Sequence, residues 1–155
     1  MGHMSINPNL KLSIRRLPNG EGLPLPNYQT PGAAGMDLFA AIDSTLNIFM
    51  SDTCLVSTGI AVEIPHGFEG QIRPRSSMAR RGLIIPNAPG TIDCDYRGEL
   101  MVLLSNPSTA PYIEIRRGDR IAQLIIAPVL QLPVIEVEHL TETVRGERGF
   151  GSTGR

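Results

Sequence analysis

Glycine and proline punctuate this chain from end to end, sixteen of one and thirteen of the other among 155 residues. That frequency excludes a fold of long helices, because an interior glycine costs a helix about 1 kcal/mol and an interior proline about 3 kcal/mol relative to alanine. No Gly-X-Y period organises them, which excludes a collagen triple helix. The residues between them alternate. Leu10, Leu12 and Ile14 interleave with Lys11, Ser13 and Arg15, the period-2 pattern of a half-buried strand. The pattern returns at Ile60, Val62 and Ile64 and at Phe68, Gly70 and Ile72, and Pro65-His66-Gly67 between them predicts a hairpin. Leu100 to Leu104 is apolar on both faces, which predicts a buried strand. Ile113 to Arg116, Ile121 to Val129 and Val134 to Val137 predict three more. Pro18 to Gly35 carries four prolines and reads as an extended surface connection. No window sustains helical periodicity, and the best short helix is Ser77 to Arg81. Short strands with turns between them predict an all-β, jelly-roll-like barrel or sandwich with one short helix.

The length supports a single hydrophobic core. With 41% hydrophobic and 19% charged residues and no apolar run long enough for a helical membrane span, a soluble globular domain is expected, with no membrane partner. Fourteen basic against fifteen acidic residues lack the basic excess that holds nucleic acid by its phosphates, so no nucleic-acid partner is expected either. Only Lys11 among the basic residues is a lysine. The arginine fork suits phosphate and carboxylate oxygens, and codon usage in a GC-rich genome produces the same bias. Cys54 and Cys94 stand alone and no secretory h-region opens the chain, which predicts a reduced, cytoplasmic setting. Met1 to Met4 reads as a vector-derived remnant, and residues 5–138 as the β domain. From 139 to 155 the apolar pattern stops, and glycines, arginines, hydroxyls and Phe150 take over. This segment reads either as a solvated terminus or as a flexible C-terminal arm closing over a nucleotide, since amides, hydroxyls and guanidinium groups suit a polyphosphate and one aromatic face suits a base.

Four internal segments share that chemistry. Pro74-Arg75-Ser76-Ser77-Met78-Ala79-Arg80-Arg81-Gly82 lies in an acid-free stretch. It reads as an anion receiver, with Ser76 or Ser77 capping the helix, or as a solvated basic loop. In Gly90-Thr91-Ile92-Asp93-Cys94-Asp95-Tyr96-Arg97-Gly98-Glu99 an extended backbone points Asp93 and Asp95 the same way, a candidate base with a partner, or a turn using Asp and Gly for their backbone habits. Ala34-Gly35-Met36-Asp37-Leu38 places one carboxylate at a strand start. Arg120-Ile121-Ala122-Gln123-Leu124-Ile125 places one amide among apolar neighbours. His3, His66 and His139 lack zinc-ligand spacing, and neither a GxSxG elbow nor a GxxxxGK[ST] loop occurs.

These four segments, with Gly149-Phe150-Gly151-Ser152-Thr153-Gly154, resemble in order and spacing the five motifs of the homotrimeric dUTPase family, over about residues 34 to 154. The resemblance implies a jelly-roll subunit, a homotrimer with active sites shared between subunits, and an arm that closes over each site. The implied reaction is hydrolysis of dUTP to dUMP and pyrophosphate with Mg2+, which limits uracil incorporation into DNA and supplies dUMP for thymidylate synthesis. Carried over by motif, Asp93 activates the water that attacks the α-phosphorus, and Tyr96 packs on the deoxyribose. Asn87 falls where the uracil-contacting hairpin lies, and Gly90 and Thr91 are carried over as substrate-binding residues. Arg75, Ser76, Ser77 and Gln123 hold the phosphate chain, Ser76 at the bridging oxygen that leaves. Asp37 holds waters of the magnesium. In the arm Phe150 stacks over uracil beside Gly151, and Arg145 or Arg148, Ser152 and Thr153 meet the terminal phosphates. Two positions depart from the pattern: Arg148 stands where the family commonly has glycine, and Ser77 follows Ser76 where it often has glycine. The second departure is shared with dCTP deaminases of the same fold, so a deaminase or bifunctional relative is the alternative enzyme. Its chemistry needs a glutamate in the strand after the third motif, and Met101 to Asn106 has none. A non-catalytic nucleotide-binding regulatory trimer is the alternative from another class.

Overall fold

The computed structural model describes residues 10–148; Met1 to Asn9, and Gly149 to Arg155 with Phe150, Gly151, Ser152 and Thr153, lie outside the described residues. Nine strands and one short helix make up the described chain: β1 (Ser13–Arg16), β2 (Met36–Phe39), β3 (Leu46–Phe49), β4 (Thr53–Glu63), β5 (Phe68–Arg73), α1 (Ser76–Arg80), β6 (Gly90–Ile92), β7 (Glu99–Ser105), β8 (Tyr112–Ile115) and β9 (Arg120–Pro128). They form three antiparallel sheets, ordered β1-β4-β7, β2-β9-β5-β6 and β3-β8. The all-β sandwich with a single helix is the architecture that the spacing of strands and turns predicts. Between the sheets Leu38, Ile48, Val56, Leu100, Leu104, Ile115, Ile121 and Leu124 lose nearly all contact with solvent. Asn106 is buried with them, and its amide is satisfied: Nδ2 donates to the carbonyls of Ile48 and Ala110, and Oδ1 accepts from the amide and hydroxyl of Ser108.

Three expectations are corrected. Ile60–Ile64 and Phe68–Ile72 are not a hairpin. The turn at Pro65 closes, with Phe68 N–H donating to Pro65 O at 3.2 Å, but β4 already pairs with β1 and β7, and β5 with β9 and β6. With both edges of each strand taken, the turn is a corner between sheets. Val134 to Val137 is not a strand: no described strand edge pairs with it, and Val134 and Ile135 are 97% and 78% exposed. In β7 only Leu100, Val102 and Leu104 are buried, while Met101 and Leu103 on the other face remain half-exposed. Two strands escaped the sequence reading, β3 and the first half of β4: β3 is only four residues long, and in β4 an apolar Leu55 is exposed while a polar Thr58 is buried, which hides the alternation.

One close approach organises the long connection after β1. At Gly59 the register of β4 against β7 shifts, and φ is +71°. A Cβ on Gly59 would lie 2.3 Å from Gly20 Cα, and one on Gly20 would lie 2.2 Å from Gly59 O. The two backbones cross in contact, sealed by a 2.8 Å bond from Leu17 N–H to Gly59 O. Glu99 Oε1 accepts from Gly59 N–H and from Asn19 Nδ2, both at 2.8 Å. Arg16 and Arg117 hold the carbonyls of Asn19, Gly20, Glu21 and Leu23. Gly59→Ala meets both an unfavourable dihedral and a backbone collision. It should lower stability by at least about 2 kcal/mol, read as a fall in thermal midpoint at fixed protein concentration, and an unchanged midpoint would refute the crossing.

Candidate functional site

The first cluster grows from one row across the central sheet. Asp37 on β2 faces Gln123 on β9, and Gln123 faces Arg73 on β5. Past Arg73 the chain turns, and Gln123 Nε2 holds that turn by donating to Pro74 O at 3.0 Å. Gly35 leaves room for this amide, since a Cβ there would lie 2.7 Å from Gln123 Oε1. Arg75 then folds back so that its Nε meets Asp37 Oδ1 at 2.7 Å, and Arg120 Nη1 lies 3.5 Å from Asp37 Oδ2. Ser76 and Ser77 open α1, exposed to solvent, while Met78 anchors the helix in the core. Neither serine caps the helix: Arg75 is the N-cap residue, and its carbonyl receives the amides of Met78 and Ala79. The serine hydroxyls are therefore not consumed by capping. The result is a cationic, hydroxyl-bearing surface with its one acid already compensated.

The second cluster is built on β6 and the loop beyond it. The Asn87 side chain lies over Gly90, where a Cβ would approach Asn87 Nδ2 to 3.2 Å. Thr91 is exposed opposite Gln71. β6 ends at Ile92, and Asp93 to Tyr96 form a turn in which Tyr96 N–H donates to Asp93 O at 3.1 Å. The extended geometry expected through Asp95 is thus replaced by a turn. Asp93 and Asp95 are nevertheless both exposed and line one depression of about 820 Å³ with Thr91 and Glu69. Asp93 also borders a smaller cavity of about 270 Å³ with Tyr96, Leu55 and Met101. The Tyr96 ring lies over Gly98, and its hydroxyl donates to Glu99 O at 3.1 Å.

The two clusters sit at opposite ends of β5. Gly90 faces Ile72 and Ile92 faces Gly70, so Asp93 emerges at the start of β5, whereas Arg75 and Ser76 follow its end. From Gly70 to Arg73 β5 alone spans about 10 Å at the rise of an extended chain, and Asp93 lies beyond one end of that stretch and Arg75 beyond the other. A general base works within about 3 Å of the proton it takes, or through one water. Within one chain, Asp93 and Ser76 cannot serve the same reacting phosphorus. At the other end of the chain, Arg145 and Arg148 bond each other's backbone carbonyls in a turn from Thr143 to Arg148. Sequence reasoning missed the functions of Gly98, Glu99 and Arg120. The small residue after Tyr96 and the acid after Gly98 were visible, but what they touch depends on the fold.

A jelly-roll frame that carries one cluster of arginine and hydroxyl donors and a separate cluster of carboxylates beside an aromatic places the chain in a class of β proteins with chemistry suited to a nucleotide polyphosphate. The dUTPase family model matches residues 21–154. The deoxyuridine 5'-triphosphate nucleotidohydrolase of Anaplasma marginale is 55% identical over 146 residues, covering 94% of this chain and 99% of the relative. That of Rhizobium johnstonii is 52% identical over 155 residues, with 98% and 97% covered. The dUTPase of Staphylococcus bacteriophage 80alpha, solved with dUpNHpp, superposes with a TM-score of 0.83 at 27% identity over 94% of this chain and 99% of that one. The chain belongs to the dUTPase family.

The packing of Tyr96 on Gly98 has a direct consequence. A Cβ at Gly98 would lie 2.3 Å from Tyr96 Oη and 2.5 Å from Cζ, and an exposed ring can swing away. Gly98→Ala should shift the thermal midpoint by no more than about 4 °C while displacing the Tyr96 ring resonances. Unmoved ring resonances would contradict the contact.

Proposed function

We propose that this chain hydrolyses dUTP to dUMP and pyrophosphate at sites shared between copies of itself. The observation that carries the reading is the separation of Asp93 from Arg75 and Ser76 by the length of β5. A second copy brings one chain's base and sugar cluster against another chain's phosphate cluster, and a homotrimer with cyclic symmetry repeats that contact three times. Exposed Leu55, Leu130, Leu132, Val134 and Ile135, with half-exposed Met101 and Leu103, supply apolar surface for such contacts.

Asp93 takes a proton from water as its oxygen attacks the α-phosphorus. The bond from that phosphorus to the α–β bridging oxygen breaks, and pyrophosphate leaves with the electron pair. Ser76 donates to the bridging oxygen, while Arg75 and Gln123 meet the charge that accumulates on the leaving group. Tyr96 packs on the deoxyribose, and Asn87, Gly90 and Thr91 border the uracil. The arm from 139 onward supplies Phe150 over the base and Arg145 or Arg148 to the terminal phosphates.

Magnesium fits as an ion carried by the substrate. A phage phi11 dUTPase structure details coordination of a structural Mg(II) ion, so the ion is known in a structural neighbour. Mg2+ typically keeps several waters and binds one or two carboxylates plus phosphate oxygens. Asp37, beside the phosphate cluster, is the carboxylate placed to reach those waters, and the ion would neutralise phosphate charge. The deaminase alternative lacks its glutamate: Glu99, the nearest acid, is occupied by Asn19 and the Gly59 amide.

Asp93→Asn should lower pyrophosphate release from dUTP by about 10²- to 10⁴-fold while dUpNHpp still binds. Mixing it with Ser76→Ala, unfolding and reassembling the two together, should restore up to about a quarter of sites under random assembly. No recovery would rule out shared sites, and ammonia from dCTP would replace the reading with deamination. A chain ending at Val144 should stay assembled with turnover reduced at least about tenfold; undiminished turnover would remove the arm from the mechanism.

A further inference from the structure

The Arg75 side chain is held on three sides. Its Nε meets Asp37 Oδ1 at 2.7 Å, and its Nη1 donates to Ser77 Oγ at 3.2 Å and approaches Arg120 O at 3.5 Å. The carboxylate that fixes it is 12% exposed and is itself flanked by Arg120, while Arg75 is 21% exposed. With Cδ fixed by the chain, contacts at Nε and Nη1 hold the plane of the guanidinium. Among the described residues no hydrogen bond takes up Nη2. We infer that Asp37 and Ser77 are positioning residues, which act on the substrate's phosphates by presenting the Nη2 edge of Arg75 to them.

This inference rests on the phosphate-binding reading of Arg75 and alters the roles of its two neighbours. Asp37 has a guanidinium at each oxygen, so its first task is to orient Arg75 and Arg120, with any hold on the waters of a metal coming second. Ser77 lies on the exposed first turn of α1 with its hydroxyl turned to Arg75 rather than used as a cap. An arginine arranged before the ligand arrives gives up less rotamer freedom on binding, and the two N–H bonds of Nη2, held in a fixed direction, are its donors to phosphate oxygens.

The test is a set of mutant cycles read by titration calorimetry, with dUpNHpp and with inorganic tripolyphosphate, each in magnesium chloride and in EDTA. Ser77→Ala should weaken both probes roughly three- to tenfold at an unchanged thermal midpoint, because alanine suits a helix better than serine. Ser77→Thr, which keeps the hydroxyl, should bind as the parent does. Asp37→Asn should weaken them more than about tenfold, and equally in EDTA and in magnesium. In an Arg75→Ala background each change should add less than about twofold, because its target is gone. Additive losses in that background would overturn the inference, placing Ser77 directly on phosphate. A loss for Asp37→Asn confined to magnesium would overturn it for Asp37. Coupled losses on tripolyphosphate in a chain that releases no pyrophosphate from dUTP would uphold the positioning roles and remove the dUTP reading alone. A parent chain that binds neither probe would overturn the inference.

Discussion

Both edges of β5 are occupied, by β9 on one side and β6 on the other, and the placement of the two clusters around Arg75 and Asp93 follows from that double pairing. Pairing with β9 brings Arg73 into line with Gln123 and, across β9, with Asp37, so the chain leaving β5 delivers Pro74 and Arg75 to an amide and a carboxylate already waiting. Pairing with β6 in the opposite direction sends Asp93 to the far end. An antiparallel ladder therefore separates Asp93 from Arg75 and Ser76 by construction. A slip of one residue would turn Asp37 and Gln123 to the other face of the sheet, and the buried face of β9, with Ile121 and Leu124, holds the register against that.

Several arginines have a structural use beyond the two sequence readings. Arg75 pairs with Asp37, while Arg16 and Arg117 hold backbone carbonyls of the connection after β1, Arg81 reaches the carbonyl of Glu114, and Arg97 those of Cys94 and Tyr96. Irregular segments expose carbonyls that no ladder satisfies, and a fork with several donors can serve two at once. A chain with this many proline-rich connections creates that demand. A lysine ammonium could meet single acceptors but not with the same planar, two-point geometry.

The sequence carried the fold class and most strand positions, because period-2 alternation and turn residues are local signals. It misjudged β4 and β5, which look like a hairpin around Pro65-His66-Gly67, since strand partnership is decided by long-range competition for edges that a turn does not record. Val134 to Val137 has the alternation of a strand without a partner in its own chain, a difference no local pattern expresses. At the site, Asp37, Arg75 and Gln123 were legible as residue types. Their contact through the Asp37–Gln123–Arg73 row was not, because it depends on the registers of three strands far apart in sequence. Ser77 was read as a cap or a phosphate ligand, and its bond to Arg75 emerges only when the helix starts one residue earlier, at Ser76.

The glycines divide along the same line. Gly59 and Gly20 serve the frame, allowing two backbones to cross where a side chain on either would collide. Gly35 and Gly98 serve the site, one leaving space for the Gln123 amide and the other for the Tyr96 ring. Both site glycines flank a residue whose position, rather than identity alone, sets its chemistry. The frame glycines lie in backbone contact, where neither chain can give way; the site glycines lie against side-chain ends that could move. Substitution at the first pair therefore acts on folding, and substitution at the second acts on geometry in a chain that still folds. Two kinds of requirement thus stand behind a composition that, read as composition, says only that the chain turns often.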